Sequence, residues 1–129
     1  MDDEAAVREV YERLVAAFGD GRLDDYFACF ADDATFVFHG ERWLGSLEEY
    51  RAEWDRWVLE DDLAVLACET EVLKIQMLGN SAVLAHSVET RQRTEGREGT
   101  VHERETIVFA KQPDGRWLAV HEHLSPQPG

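Results

Sequence analysis

The sequence predicts an α+β fold in which three N-terminal helices pack in the concave face of a curved, mostly antiparallel sheet, forming a cone. Three observations carry this expectation. Apolar residues recur at helical spacing through much of the first half of the chain; after Leu63 that period vanishes and four long β segments follow; and the breaks between those segments are turn chemistry. Three helices ahead of a meander cannot cover both faces of its sheet, which leaves the other face for solvent or a partner.

Helix one is expected over residues 3–18, with Val7, Val10, Tyr11, Leu14, Val15 and Phe18 on one face. Asp2, Asp3 and Glu4 complement the positive end of its dipole, and Gly19 and Gly21 stop it. A short second helix from Leu23 to Phe30 brings Tyr26, Phe27 and Phe30 inward. Alternation in ATFVFHG (34–40), followed by GERWLG, reads as a hairpin whose returning strand ends at Gly45. Helix three runs from Ser46 to Glu60: Ser46 and Glu49 form a capping box, and Leu47, Tyr50, Trp54, Trp57 and Val58 line one stripe. The β segments are LAVLACETEVLKIQML, SAVLAHSVETRQR, TVHERETIVFA and RWLAVHEHL. Gly79-Asn80, the EGREG stretch around Gly96 and Gly99, and Pro113-Asp114-Gly115 separate them.

At 129 residues the chain is expected to be one domain over 1–129, long enough to bury a core without metals or disulfides. Its 27 Asp and Glu against 13 Lys and Arg give a net charge of −14, which repels phosphate backbones and anionic lipid surfaces. Nucleic acid and membrane are therefore not expected as partners; a small molecule or a protein is. No apolar run approaches the roughly 18 residues a membrane span needs, and the acidic start does not read as a secretory signal. Cys29 and Cys68 lack CxxC spacing and read as free thiols, and together these features point to the cytoplasm.

The run FADDATFVFHGERWLG, the amphipathic helix after it, and the closing DGRWLAVHEHLSP resemble the nuclear transport factor 2-like superfamily, with its cystatin-like cone, in its SnoaL-like branch. The final pattern of Gly115, Trp117, His121, His123 and Ser125 is also similar to the end of the calcium/calmodulin-dependent kinase II association domain. The resemblance implies a pocket in the cone. It also implies that His86 points into that pocket and that Glu105, Ile107 and Phe109, rather than Arg104, face inward. The superfamily holds isomerases, dehydratases, cyclases, epoxide hydrolases and non-catalytic association modules, so the fold does not settle the function. This chain does not match the Tyr-Asp pair with an aspartate base of the steroid isomerases, nor the Asp-Arg-Asp set of the epoxide hydrolases.

Strand parity places Trp117, Ala119, His121 and His123 on one face of the last strand, and Leu118, Val120, Glu122 and Leu124 on the other. Histidines two apart on a strand lie roughly 6.5–7 Å apart, close enough to address one ligand. His86, His121 and His123 are the candidate catalytic groups, since imidazole moves protons in either direction near neutral pH. Tyr11, Tyr26, His39, Trp43, Tyr50, Trp54, Glu105 and Phe109 are the candidate substrate-binding wall. Each has a structural alternative: the aromatics as core, His39 as a turn residue, and His121 and His123 as anchors of loop backbone. A metal held by His86, His121 and His123, or using His39, is geometrically possible, although HEH on a strand is not the helical HExxH pattern. No GxSxG elbow, phosphate loop or dinucleotide fingerprint occurs. The chain thus reads as a pocket protein: a cofactor-free lyase, isomerase or cyclase acting on an apolar, aromatic or polyketide-like molecule by histidine acid–base chemistry. A non-catalytic binding or association module and a histidine-bound metal enzyme stand beside that reading. The alternating apolar residues Val83, Ala85, Leu118 and Val120 on the outer sheet face are expected to pack a homodimer.

Overall fold

Asp2 opens the first helix by accepting a hydrogen bond from the Ala5 amide at 2.7 Å, the N-cap role that satisfies one orphan donor of the first turn. The computed structural model describes residues 2–128 and places helices α1 (Asp3–Gly19), α2 (Leu23–Phe27) and α3 (Leu47–Asp61) against one five-stranded sheet. The strands are β1 (Phe30–Val37), β2 (Ala64–Leu78), β3 (Ser81–Thr94), β4 (Arg97–Lys111) and β5 (Trp117–Pro126). α1 ends where it meets β2: a Cβ on Gly19 would lie 3.3 Å from Cys68, a close approach that glycine accommodates without displacing the strand. Ser46 caps α3 by accepting from the Glu49 amide at 3.1 Å, while the Glu49 carboxylate reaches back to the Gly45 amide at 3.1 Å. The reciprocal capping expected from the sequence is present, with its return bond one residue earlier than in the standard box.

The strand order is β1-β5-β4-β3-β2, all pairs antiparallel except β1 with β5, which run parallel. Each of the last four strands is two to three times longer than a typical strand of about 5–6 residues, and the sheet curves. Unpaired residues supply bends: Leu66 and Leu73 on β2, and Val120 on β5, each sit where the ladder skips one position. The turn between β3 and β4 is tighter than the EGREG stretch suggests. Glu95 and Gly96 both take positive φ, 53° and 78°, forming a two-residue hairpin loop, and Gly99 lies inside β4.

The hairpin expected over 34–45 contracts to a single bridge between Phe36 and Leu44. Leu44 is fully buried and Trp43, its neighbour, is 58% exposed, because one bridge pairs Leu44 inward and alternation turns Trp43 away. α2 also stops at Phe27, so Phe30 begins β1 instead of ending a helix.

The core fills the concave face. Phe36, Leu44, Leu84, Ile107 and Phe109 are fully buried there, under Val7, Tyr11 and Leu14 of α1 and Tyr50 and Trp54 of α3. On the opposite face Val83, Ala85, Leu118 and Val120 are partly exposed, as alternation requires. Among the described residues no helix is long and apolar enough to cross a membrane, and both cysteines are free thiols.

Candidate functional site

Between the helices and the sheet lies a cavity of about 320 Å³, a size suited to a small organic ligand. Leu14, Val15 and Phe18 of α1, Trp54 and Trp57 of α3, Phe38, and Val65, Val88, Val101 and Leu124 of the sheet make its walls predominantly apolar. Five carboxyl side chains also face it, Glu41, Asp61, Glu103, Glu105 and Glu122, while no lysine or arginine lines it among the described residues.

The deepest polar groups form one connected chain. Strand pairing sets His86 of β3 directly opposite Glu105 of β4, and the His86 Nε2 atom lies 2.6 Å from Glu105 Oε1. On the other side of the ring, Nδ1 lies 2.9 Å from the Tyr11 hydroxyl of α1. Glu122 of β5 pairs with Ile107, one diagonal step from Glu105, and the two carboxyls hydrogen-bond each other. Tyr26 reaches Glu122 Oε1 at 3.4 Å and shares a 2.8 Å hydrogen bond with the Tyr50 hydroxyl. His86, Glu105 and Glu122 are 2%, 8% and 2% exposed.

Burial without a compensating cation governs the protonation of this chain. It pushes Glu105 up to about 7, with the Glu103 charge adding to the rise. It holds Glu122 well above the usual carboxylate range, reinforced by the charge of Glu105 and by their hydrogen bond. The same desolvation lowers His86 to about 4, so its ring is neutral at pH 7, and it raises Tyr26 and Tyr50 well above the ordinary phenol value. Two touching carboxylates in an apolar site cannot both ionise, so the pair keeps at least one proton at neutral pH.

At the mouth, His39 Nε2 lies 2.6 Å from Glu103 Oε2, clasping the segment after β1 to β4, and Trp57 donates to Glu41 at 3.1 Å. Arg56 gathers Glu53, Glu41 and Glu60, and Arg42 adds Glu49 and Glu53; these pairs explain how Glu53 is buried on α3.

Among the residues expected at the site, the structure brings His86, Tyr26, His39, Tyr50, Trp54 and Glu105 to the cavity. Glu105, Ile107 and Phe109 turn inward and Arg104 outward. Tyr11 stands behind His86 rather than on the cavity surface, and Phe109 is sealed in the core beneath it. Three residues are placed elsewhere. His121 and His123 lie on the outer face of β5, where Thr35 Oγ1 meets His121 Nδ1 at 2.8 Å and His123 is exposed. Trp43 accompanies them, its ring 6.5 Å from that of His121. The unpaired Val120 is the cause: Phe109 pairs with Ala119 but Val108 pairs with His121, so the inward set switches from Trp117 and Ala119 to Glu122 and Leu124. A trio of His86, His121 and His123 therefore straddles the sheet and cannot converge on one metal ion. Among the described residues no other group of three or more His, Cys, Asp or Glu is arranged to do so.

Glu122 is the residue that sequence reasoning passed over. The signal was the one that singled out His86: a polar group alone among apolar neighbours, here Val120 and Leu124.

The family model of the SnoaL-like domain matches residues 7–128. Solved structures are similar over nearly the whole chain. A ketosteroid isomerase-like protein from Erwinia carotovora atroseptica is 17% identical with a TM-score of 0.84, over 100% of both chains. An NTF2-like protein of unknown function in nutrient uptake from Rhodospirillum rubrum is 25% identical with a TM-score of 0.77, over 98% of this chain and 100% of its own. A protein of cystatin-like fold from Nostoc punctiforme is 18% identical with a TM-score of 0.75, over 98% of this chain and 78% of its own. No curated protein matches the chain. With its helices seated in a curved five-stranded sheet and the family pattern spanning residues 7–128, the chain belongs to the SnoaL-like family of the NTF2-like superfamily.

Proposed function

We propose that the protein is a cofactor-free proton-transfer enzyme, a lyase, isomerase or cyclase, acting on an uncharged apolar carbonyl compound, with Glu105 as base and Glu122 as acid. One observation carries this reading: two carboxyls in contact, both buried, on the floor of an apolar cavity that no lysine or arginine lines among the described residues. A buried carboxyl pair has no packing advantage over leucine and is costly to bury; its use is chemical, because the two environments push one group to donate and the other to accept.

In the resting site the Glu122 O–H donates to the Glu105 carboxylate. A bound carbonyl oxygen takes that donor instead. Glu105 then removes a proton from the adjacent carbon, the C–H electron pair moves into the new double bond, and the carbonyl π pair moves onto the oxygen, held by the Glu122 O–H. Return of the proton from Glu105 to a different carbon isomerises the substrate; loss of a leaving group from the β carbon makes the step an elimination. The lining carboxyls repel anionic ligands, and the rings of Phe18, Phe38, Trp54 and Trp57 favour an aromatic or polyketide-like body. This shifts the acid–base role expected of the histidines onto the carboxyls, with His86 behind one of them.

The test is exchange in heavy water. Apolar aromatic ketones and esters are incubated with the protein in D2O and followed by proton NMR. Incorporation of deuterium next to the carbonyl, lost by at least 100-fold in Glu105→Gln, is the expected result. Ligands that bind, by quenching of tryptophan fluorescence, yet never exchange would establish the alternative of a non-catalytic binding module.

The outer face supports a second copy of the chain as its occupant. Val83, Ala85, Leu118 and Val120 present small apolar side chains flanked by Trp43, His121 and His123, a composition suited to a two-fold contact. Sedimentation at micromolar concentration is expected to show twice the 14.8 kDa chain mass; Val120→Lys is expected to return it to one, and a monomer in the parent would end the proposal.

A further inference from the structure

We infer that Tyr11, which does not touch the cavity, is a positioning residue: its hydroxyl locks His86 in the Nε2–H tautomer, and this makes Glu105 the base and Glu122 the acid. The inference rests on the reading of that pair as the proton-transfer site. It concerns how two identical carboxyls, one diagonal step apart, are given different tasks.

A neutral imidazole carries one N–H, and the hydrogen bond made by one ring nitrogen decides which nitrogen bears it. His86 is held on both sides, by Tyr11 at Nδ1 (2.9 Å) and by Glu105 at Nε2 (2.6 Å). The Tyr11 and His86 rings meet edge to face, 5.3 Å apart at 84°, so neither ring turns freely. Two proton arrangements satisfy this geometry. In one, Tyr11 donates to Nδ1 and Nε2–H donates to an ionised Glu105. In the other, Nδ1–H donates to Tyr11 and a protonated Glu105 donates to Nε2, which leaves the negative charge on Glu122.

Where the charge is better held decides between them. On Glu105 it receives the short His86 bond and the Glu122 O–H. On Glu122, 2% exposed, it would rely on Tyr26 at 3.4 Å and would lose the donor from Glu105, whose proton is then committed to His86. Hydrogen bonds to a buried carboxylate are worth most when short and charge-assisted. The first arrangement therefore prevails, and its donors run in one direction: Tyr11 to His86, and His86 to Glu105. A second line from Tyr50 through Tyr26 and Glu122 ends on the same carboxylate. Aligned donors of this kind reinforce one another.

The measurement needs no substrate. Protein labelled with 15N-histidine, with the His86 signals identified by their loss in His86→Gln, is expected at pH 7 to show a protonated Nε2 and an unprotonated Nδ1. In Tyr11→Phe the proton is expected to spread to Nδ1. The carboxyl C=O band, followed by infrared spectroscopy against pH, is expected to show Glu105 titrating roughly one unit higher, the size of one lost charge-assisted bond. In a His86→Gln background, where an amide replaces the ring and no tautomer exists, Tyr11→Phe should produce no further shift. A proton on Nδ1 in the parent, an unchanged tautomer in Tyr11→Phe, or a shift that persists in the His86→Gln background would each overturn the inference. A normal tautomer response with no protonated carboxyl at pH 7 would instead remove the carboxyl-pair reading on which the assignment of base and acid rests.

Discussion

Glu105→Gln is expected to unfold at a temperature on the order of 10 °C above the parent at pH 8, and within a few degrees of it at pH 4. The sign follows from the raised pKa. Below the ordinary carboxylate value of 4.5 the group is protonated in both folded and unfolded chains and contributes nothing. Between 4.5 and about 7 the unfolded chain releases the proton while the folded chain keeps it, so unfolding becomes progressively easier as pH rises. Above that range both forms are ionised and the penalty saturates at about 3 kcal/mol. Glutamine keeps the shape and the acceptor for His86 but has no proton to lose, so the difference between the curves grows across this window. His86, lowered to about 4, contributes the opposite slope between about 4 and 6.5, but it does so in both proteins. Thermal unfolding from pH 4 to 8 by circular dichroism checks this; a difference independent of pH would show that Glu105 titrates as an ordinary surface carboxylate. Combined with the loss of exchange activity, a variant more stable and less active than its parent is the signature of a group retained for chemistry.

Phe109→Ala is expected to destabilise the protein by about 3–5 kcal/mol, lowering the unfolding midpoint by on the order of 10–15 °C. Phe109 is fully buried and lies beside Ala82, its strand partner, in the same sealed layer as Ile107 and Phe36. Removing the ring leaves a void that rigid strands on either side cannot close. If Phe109 were a wall of the cavity, as its aromatic character suggested, the alanine variant would enlarge a space already open to water and lose far less. Trp43→Ala provides the contrast. Its ring is 58% exposed and lies beside His121 on the outer face, so the midpoint is expected to move by only a few degrees, while the proposed contact between two copies would weaken. Urea unfolding of the two variants in parallel, with the parent m value retained, measures both.

Local chemistry made much of this protein legible in its residues. The 3.6-residue apolar period of α1, the Ser46 and Glu49 capping of α3, and the Gly79-Asn80 and Pro113-Asp114-Gly115 turns each act within a few positions, and the elements they predicted form within a few residues of the expected bounds. His86 stood out because a polar side chain in an apolar strand must find partners, and it finds two. Strand pairing and curvature are different in kind, since they depend on residues far apart in the chain. WLAVHEHL alternates regularly, and nothing within it shows that Val120 goes unpaired. The extra residue is set by how β5 fits between β1 and β4 at once: its parallel ladder with β1 also jumps, from Phe30 to Thr35, over the same stretch. Because side chains alternate with a period of two, that one skipped position exchanged the faces of everything beyond it, carrying His121 and His123 outward and Glu122 inward. Composition and period determined the cone; only the tertiary packing decided which polar groups meet inside it, and it set a carboxyl pair where the alternation alone had set two imidazoles.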